Sequence, residues 1–387
     1  GPGAAAEGLP SLIAAARRCG LPVLATFRPQ WEDKSAGYSG PDAPRFEVLQ
    51  LAARLGAYYV DVERGAHEAW LAAGGLPAGC RTRLVVSSHD FAKTLPPEEL
   101  RARFEEMRGL AGPEGVVKLA QMPKTGCEAG RMLTLLAGEG GGTVALAMGE
   151  TGVFTRVLAP AFPRTRFTFG CLRGRASAPG QLTVLEMVET LGLGSASPGM
   201  PVFGMLQPGA FGCRVAGAVT AGLAAAGRGG VCAPIPVRGC SAEELLASLP
   251  SGALAKWVVE DEVGDSGAAE QARRLYVHFT GDAAPAPAVL AAAPGQVGAP
   301  RLYGVAAAQA HVRPVGGSFV AQAPRELFVG RPHSGSYVAP APPSRTAQWP
   351  SDSLSAAAVG KRGGPHGPHA RPTVVTAARQ GPVAMAL

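Results

Sequence analysis

The sequence predicts an α/β fold, because short strand-like runs alternate with amphipathic helical stretches over the first 195 residues. Each run is apolar and rich in Val, Leu and Ala, and each is followed by a segment with helical spacing of apolar residues. This regular alternation is typical of a parallel sheet or a βα barrel, since parallel strands need helical crossovers. The remaining 192 residues follow a weaker pattern and are treated separately below.

Six apolar runs in this region are predicted to be strands. They are Leu21–Phe27, Ala57–Val62, Thr82–Ser87, Gly115–Ala120, Thr143–Met148 and Arg166–Gly170. Helices are predicted near 10–19, 44–55, 97–109, 124–138, 151–158 and 181–191. The helix at 97–109 has the strongest pattern. It has Pro at its start and acidic residues in its first turn, and Leu100, Phe104 and Met107 repeat at helical spacing.

The second half divides into two parts of different composition. Residues 196–280 open with a Gly/Ser/Pro break and then show a strand (PVFGML), a helix (VAGAVTAGLAAAG), a strand (VCAPIPV) and a helix (SAEELLASL). We interpret this part as a degenerate α/β domain. Residues 281–387 are rich in Ala, Pro and Gly. We predict that they are largely disordered, because such a composition buries little apolar area against the entropy of ordering the chain.

Composition and charge exclude several classes of protein. No apolar run is long enough to span a bilayer, so we expect no membrane segment. The net charge is +7, but aromatic residues make up 6% and no dense Lys/Arg stripe occurs, which disfavours nucleic acid as a partner. An anionic small-molecule substrate, or solubility alone, explains the basic balance equally well.

The cysteines and the start of the chain complete the overview. The seven cysteines include no CxxC pair, so we expect neither a disulfide framework nor a metal site, and a reducing compartment is favoured. The chain starts without methionine, and GPGAAAEGLP lacks the basic region of a signal peptide. We therefore expect that part of the protein precedes Gly1.

Two residues of the predicted strands have the chemistry expected of a catalytic site. Lys118 lies inside the apolar run VVKLA, where loss of ammonium solvation lowers its pKa and favours a neutral, nucleophilic amine. The alternative is a structural ion pair with a carboxylate. His89 follows another apolar strand in VVSSHD and is a candidate general acid/base, or else a hydrogen-bonded core residue. Glu32 and Glu63 are candidates to orient His89, or surface charges.

A series of motifs occurs in one order along residues 21–195. They are FRPQWE, YYVDVE, VVSSHDF, VVKLAQMPKT, LAMGETGVFTR, and FTFG followed by ASAPGQ. Together they resemble the type I 3-dehydroquinate dehydratase family. RPQWE and the later VFGML are similar to the plant-type bifunctional 3-dehydroquinate dehydratase–shikimate dehydrogenases. The resemblance implies a (β/α)8 TIM barrel.

The resemblance also implies roles for individual residues. Lys118 matches the Schiff-base lysine, His89 the proton-shuttling histidine, and Glu32 the carboxylate that supports this histidine. The other matches bind or cover substrate. Arg28 and Arg156 correspond to basic residues around its hydroxyls and carboxylate, Asp61 and Met148 to residues lining the pocket, and Ser177 and Gln181 to the lid. No metal or cofactor is expected for the dehydration of 3-dehydroquinate that the resemblance implies.

The chain departs from the family pattern at its start. An eight-stranded barrel is implied, whereas six strands are predicted, and the first two of the eight are the missing ones. The Glu-x-Arg pair that the family places on an early strand does not occur before Arg28. Glu32-Asp33-Lys34 stands where the family has Glu-Gly-Gly. We therefore predict an incomplete dehydratase barrel over residues 1–195.

The second part departs further from the bifunctional pattern. PGAFGCRVAG lacks the Ser-x-Ser-Pro pair that binds substrate in shikimate dehydrogenases, and Lys256 lacks the sequence context of their catalytic lysine. The string GRGGVCA at 227–233 is similar to a dinucleotide-binding motif, but it follows a predicted helix and precedes a predicted strand. That order is the reverse of what phosphate binding needs, and a Gly-rich helix terminus is the simpler interpretation.

These features predict a lyase that converts 3-dehydroquinate to 3-dehydroshikimate and water. The alternatives are a catalytically impaired homologue with a scaffold role, or a bifunctional enzyme whose NADP-binding half is not recognised. Resemblance to the plant-type enzymes implies a plastid location. Without that resemblance, a cytoplasmic location is expected. The sequence does not predict the oligomeric state.

Overall fold

The computed structural model describes most of the first 290 residues and four short strands beyond them. The described ranges are 2–138, 141–174, 176–208, 213–259, 267–286, 289–290, 312–315, 318–321, 373–378 and 384–386. In the last four ranges only the backbone is described. All structural statements below refer to these residues.

The six predicted strands are all present. They are β1 Val23–Thr26, β2 Tyr59–Glu63, β3 Arg83–Asp90, β4 Val116–Gln121, β5 Gly142–Ala147 and β6 Phe167–Phe169. Strands β1 to β5 pair in sequence order and all in parallel. A single bridge between Thr143 and Thr165 links β5 to the residues just before β6. The predicted α/β barrel-type fold with six strands in this region is confirmed.

Helices alternate with these strands. They are α1 Pro2–Arg18, α2 Asp42–Arg54, α3 His67–Ala72, α4 Pro97–Ala111, α5 Gly126–Thr134 and α6 Gly149–Leu158. The short helix α3 was not predicted, and the predicted helix at 181–191 contains a π-helix at Glu186–Thr190. Helix α1 begins eight residues before the predicted start at residue 10, because Pro10 lies inside the helix rather than at its first turn.

Side chains on the strands form two layers on the same face of the sheet. The lower layer is an apolar cluster that includes Leu24, Tyr59, Val85, Val116 and Val144. Because side chains alternate along a strand, the residues two positions further on share this face. On β2, β3 and β4 those residues are Asp61, Ser87 and Lys118, and all three are buried. The sheet therefore holds a polar layer directly above an apolar floor.

Two C-terminal strands lie between β1 and β6 in the same sheet. Strand β12 (Thr373–Ala378) pairs antiparallel with β1, and β13 (Ala384–Ala386) pairs parallel with β6. The strand order is therefore β5-β4-β3-β2-β1-β12-β13-β6. A hairpin of β10 (Val312–Val315) and β11 (Ser318–Ala321) completes the described part of this region. These four strands are exceptions to the predicted disorder of 281–387, and the rest of that prediction lies largely outside the described residues.

The middle part of the chain forms a second, smaller sheet. Its strands are β7 Val202–Gln207, β8 Val231–Pro236 and β9 Lys256–Val259, in the parallel order β8-β7-β9. Helices α7 Arg214–Ala225, α8 Ala242–Ser248 and α9 Ala268–Thr280 accompany them. The sequence predicted β7, β8, α7 and α8 but neither β9 nor α9. Gly227 adopts φ +68° just after α7, so the Gly-rich string is a helix terminus, as its simpler interpretation predicted.

One apolar core joins the two sheets. The cluster that contains Phe104, Met132 and Phe154 of the first part continues into Met205 and Leu245 of the second. Helix α5 packs against α8, and α6 packs against β8. Among the described residues, no helix is long and apolar enough to cross a membrane.

Candidate active site

The candidate site lies at the carboxyl ends of the parallel strands. In α/β sheets and barrels this edge is where ligands and catalytic groups collect, because the βα loops converge there. Arg28 follows β1, Asp61 lies in the middle of β2 and Glu63 at its end, His89 is the last residue but one of β3, and Lys118 lies on β4. The structure therefore places the predicted residues from four successive strands on one edge.

Lys118 is buried within the polar layer. Its side chain is 8% exposed, and its Nζ lies 3.0 Å from Oδ2 of Asp61 and 4.6 Å from the ring centre of Phe169. Burial lowers the pKa of Lys118, and Asp61 offsets part of this effect. Both interpretations made from the sequence therefore apply together: the amine is desolvated, as a nucleophile requires, and it is also ion-paired with a carboxylate.

Asp61 connects Lys118 to Arg28. Its two oxygens accept hydrogen bonds from Arg28 Nη2 at 3.0 Å, from Lys118 Nζ at 3.0 Å and from Ser87 Oγ at 2.5 Å. Burial alone would raise the pKa of Asp61, but Arg28 and Lys118 outweigh burial and hold it below its usual value. Asp61 is therefore a buried carboxylate that organises both cations.

His89 is held by Glu32, as the resemblance implied. Oε1 of Glu32 accepts the His89 backbone N–H at 2.7 Å and lies 3.1 Å from the ring Nδ1. Burial lowers the pKa of His89 well below its usual value, and the nearby Arg28 and Lys118 lower it further. The imidazole is therefore neutral at physiological pH. With Nδ1–H donated to Glu32, its Nε2 lone pair is free to accept a proton.

Glu32 itself has an unusual protonation equilibrium. It lies in the turn after β1, where burial raises its pKa to about 7 although Arg28 lowers it. Glu63, the other candidate to orient His89, does not contact the ring. Its carboxylate instead contacts Arg28 and Arg45. Of the two acids proposed from the sequence, only Glu32 orients the histidine.

Arg156 is a buried cation with unused hydrogen-bonding capacity. It lies on α6 with 2% exposure, and its Nη1 donates to the carbonyl of Ala147 at 2.7 Å. Its Nε has no partner among the described residues. Burial lowers the pKa of Arg156 to about 10, so the group remains cationic at neutral pH. A buried guanidinium with a free donor is suited to binding an anion.

The other predicted positions surround this group. Met148 is buried at the start of α6. Ser177 and Gln181 lie in residues 176–181, called the lid segment here after the role that the resemblance implies. Both the backbone N–H and the hydroxyl of Ser177 donate to the Gln181 side chain. The lid segment contacts the start of α6, where Gly149 N–H donates to the carbonyl of Pro179 at 3.0 Å.

Three contributors were not singled out from the sequence. Ser87, Phe169 and Arg45 each contact a predicted site residue. Ser87 and Phe169 were detectable in principle, because side chains alternate along a strand. Ser87 lies on the same face of β3 as His89, and Phe169 lies on the same face of β6 as Phe167. Arg45 gave no such signal, since its partner Glu63 is 18 positions away on another element. No group of three or more His, Cys, Asp or Glu residues in the described ranges could hold a metal ion.

Comparison with known proteins places this geometry in a family. The model of the type I 3-dehydroquinase family matches residues 5–198. The bifunctional 3-dehydroquinate dehydratase/shikimate dehydrogenase of Arabidopsis thaliana, a chloroplastic protein, is 32% identical over 188 residues, which cover 48% of this chain and 30% of the relative. The 3-dehydroquinate dehydratase of Methanococcus maripaludis strain C6 is 30% identical over 45% of this chain and 77% of the relative.

Solved structures give weaker similarity. The 3-dehydroquinate dehydratase of Geobacillus kaustophilus has a TM-score of 0.37 at 24% identity, covering 43% of this chain and 65% of that one. The dehydroquinate dehydratase and shikimate dehydrogenase of S. pombe has a TM-score of 0.36 at 21% identity, covering 64% and 46%. The chain spans less than a third of the length of the plant relative. The family model nevertheless covers half of the sequence, and on that basis the chain belongs to the type I 3-dehydroquinase family.

Proposed function

We propose that this chain is a 3-dehydroquinate dehydratase, a lyase that forms 3-dehydroshikimate and water through an imine on Lys118. The observation that carries the proposal is the buried Lys118 amine beside a neutral His89, in a chain of this family. The small-molecule substrate and the place in aromatic biosynthesis through the shikimate pathway follow from the activity of the relatives.

The proposed reaction divides the work among the site residues. The Lys118 amine attacks the substrate ketone to give a carbinolamine. Loss of its oxygen as water, with uptake of one proton from solvent, gives a protonated imine, which acts as an electron sink for the adjacent carbon. His89 Nε2 removes a proton from that carbon, with Glu32 holding the ring. The C–O bond of the hydroxyl group then breaks, and the imidazolium returns the proton to the departing oxygen as water. Hydrolysis of the imine releases the product and regenerates Lys118.

Charged groups around this centre suit the substrate, which is a carboxylate with several hydroxyls. Arg156, with its free Nε–H, would bind an anionic or hydroxyl oxygen, and Arg28 would bind hydroxyls. Ser177 and Gln181 would close over the substrate from the lid segment. This chemistry needs no metal and no cofactor, and NADP would enter only if the second sheet were also functional.

Borohydride reduction tests the imine directly. The full-length chain is mixed with 3-dehydroquinate, reduced, and analysed by intact mass and peptide mapping. We expect a reduced adduct on Lys118 that is absent in Lys118→Arg and retained in Lys124→Arg, an exposed lysine of the loop after β4. A folded chain that turns over no substrate and gives no adduct would instead support the catalytically impaired, scaffold-like alternative.

The bifunctional alternative has less support. The stretch between β7 and α7 lacks the serine pair by sequence, and residues 209–212 within it lie outside the described residues. We therefore expect no NADP-dependent oxidation of shikimate. Activity above background that disappears on deletion of residues 196–387 would contradict this expectation.

A plastid location is the further part of the proposal. It is supported by the similarity to the chloroplastic plant protein, and a cytoplasmic location is the alternative. A fluorescent fusion of the complete gene product, imaged in its native cells, would distinguish the two compartments.

A further inference from the structure

Glu63 has a role that the proposed reaction does not use. It is fully buried at the end of β2, where its Oε1 accepts a hydrogen bond from Arg28 Nη1 at 2.7 Å. Its Oε2 lies 2.6 Å from Arg45 Nη1, an ion pair without the angle of a hydrogen bond. A carboxylate buried between two guanidinium groups is costly to desolvate and stabilises little on its own. Its presence in the polar layer therefore calls for a functional explanation.

Arg45 is fixed independently of the candidate site. It extends from α2 with no exposed surface, and its Nε donates to Asp42 Oδ1 at 2.6 Å while Nη1 donates to the carbonyl of Phe27 at 3.3 Å. Its guanidinium also lies 4.8 Å from the ring centre of Phe46. These contacts make Arg45 a rigid support behind the Glu63 carboxylate.

The contacts of Arg28 show what this support achieves. Nη1 donates both to Glu63 and to Ser87, and Nη2 donates to Asp61. Three of the five guanidinium protons are thereby used on β2 and β3, and the planar group is fixed in one orientation. Among the described residues, Nε–H and one Nη2–H remain without a partner and are available to substrate oxygens.

We propose that Glu63, supported by Arg45, is a positioning residue that fixes Arg28 for substrate and adds a negative charge beside Glu32 and Lys118. The identity of the substrate in this inference rests on the proposed function. The roles of Glu63 and Arg45 go beyond that function. It explains why a second buried carboxylate accompanies Asp61, which by itself already pairs with both Arg28 and Lys118.

Burial raises the pKa of Glu63 itself, while its ion pairs with Arg28 and Arg45 favour the charged form. The charge held by these two guanidinium groups acts on its neighbours in a predictable direction. The charged and titratable groups around it are Arg28, Arg45 and Asp61, then Lys118, Glu32 and His89, with Asp42 behind Arg45. Burial raises the pKa of Glu32, and Glu63 raises it further by repulsion. Burial lowers the pKa of Lys118, whereas Asp61 and Glu63 raise it. Removing the Glu63 charge should therefore lower both pKa values.

Two substitutions distinguish the effect of the Glu63 charge from the effect of the position of its carboxylate. Ionisation of Glu32, whose pKa is raised to about 7, should make kcat/KM rise with pH. Glu63→Gln removes the charge of Glu63, so this rise should move to lower pH, and Lys118 should react with acetic anhydride at lower pH than in the wild type. Glu63→Asp keeps the charge but withdraws the carboxylate by one methylene. For this variant we expect KM for 3-dehydroquinate to rise at least about tenfold, through misplacement of Arg28, with the pH dependence unchanged. A merely structural role would not give these opposite patterns.

Glu106→Gln is the matched control, because Glu106 forms an exposed ion pair with Arg64 and contacts no site residue. Glu106→Gln should change neither the pH dependence of kcat/KM and of Lys118 labelling nor the KM for 3-dehydroquinate. The proposal is overturned if Glu63→Gln keeps the wild-type pH dependence and labelling, or if Glu63→Asp keeps the wild-type KM. If Glu63→Gln does not fold, the KM of Glu63→Asp decides whether the proposal stands. If the wild type shows no turnover, the proposed function fails, and the substrate-free labelling of Lys118 still decides the role of Glu63.

Discussion

At the scale of single residues, the pair of Glu32 and His89 controls the pH dependence of the site. Burial raises the pKa of Glu32 to about 7, while the pKa of His89 lies well below its usual value. His89 therefore stays neutral across the neutral range, and Glu32 is the group that titrates. The ionised Glu32 carboxylate accepts the Nδ1–H more strongly than the neutral acid does, and its negative charge makes Nε2 a stronger base.

We therefore expect kcat/KM to rise with pH through about 7 in the wild type. In Glu32→Gln this rise should disappear, and activity should fall by about 10²–10⁴, the usual contribution of general acid–base catalysis. Steady-state rates between pH 5 and 9 measure both effects, with Glu106→Gln as the surface control. If Glu32→Gln retains the same dependence on pH, another group controls the titration.

Asp61 gives a second prediction at this scale, on stability. Its folded-state pKa is held below its usual value, chiefly by Arg28 and then Lys118, so it stabilises the fold at neutral pH. This contribution is present above the unfolded pKa near 3.8 and is lost as pH falls below it. Asp61→Asn should destabilise the protein by about 3–5 kcal/mol at pH 7, because it leaves two buried cations poorly compensated. Urea unfolding at pH 7 and pH 3.5 should show the difference shrinking at the lower pH.

Residue positions were partly predictable from the sequence. Strand alternation and the motifs were sufficient to place Lys118, Asp61 and His89 together. The partners of Glu63 were not predictable, because Arg28 and Arg45 reach it from other elements and no local pattern records such a contact. Long-range pairing of charged residues is fixed by the packing of α2 on the sheet, which the sequence does not display.

At the scale of elements, the lid segment depends on one glycine. Gly180 adopts φ +68°, and a Cβ at this position would lie 2.4 Å from the carbonyl oxygen of Gly149. The side chain of any other residue would therefore push the lid segment away from the start of α6. Gly174 has a similar φ of +70°, but no atom of a non-neighbouring residue in the described ranges lies within 4 Å of its Cβ position.

These two glycines form a matched pair of substitutions. Both Gly180→Ala and Gly174→Ala introduce the backbone strain of a left-handed residue, about 1–2 kcal/mol. Only Gly180→Ala adds the clash, so it should lower kcat/KM roughly tenfold or more through misplacement of the lid, while Gly174→Ala should remain near the wild type. Steady-state kinetics with 3-dehydroquinate measures both variants. Equal losses in the two variants would mean that the contact with Gly149 has no part in activity.

Elements differ in how well the sequence predicted them. All six strands before residue 195 were located to within about three residues at their ends, because buried parallel strands form distinct apolar runs. Helix α9 was missed although Ala272, Leu275, Tyr276 and Phe279 repeat at helical spacing. Strand β9 was missed for a physical reason: it is a half-exposed edge strand that carries Lys256 and Trp257, so it lacks a continuous apolar run.

At the scale of the whole molecule, the part that matches the family model, residues 5–198, is not an independent unit. Its helices α5 and α6 contribute Met132, Leu133, Phe154 and Val157 to the core cluster that continues through the second sheet to Leu290. The loop after β8 also contacts the start of α5, where Gly126 N–H donates to the carbonyl of Arg238. Removing the second sheet would expose this apolar surface to solvent.

The last prediction compares three lengths of the chain: 1–387, 1–290 and 1–198. The fragment 1–198 should lose cooperative unfolding, since it exposes the shared core and also leaves β1 and β6 without β12 and β13. The fragment 1–290 keeps the core cluster and loses only the strand partners. It should therefore unfold cooperatively, but at a lower Tm than the full chain, because an unpaired strand edge removes ladder hydrogen bonds. Thermal unfolding followed by both circular dichroism and tryptophan fluorescence distinguishes these outcomes. If 1–198 unfolds cooperatively at the Tm of the full chain, its six strands are sufficient and the second sheet has no part in folding the site. If 1–290 matches the full chain, the C-terminal strands contribute nothing to the stability of the sheet.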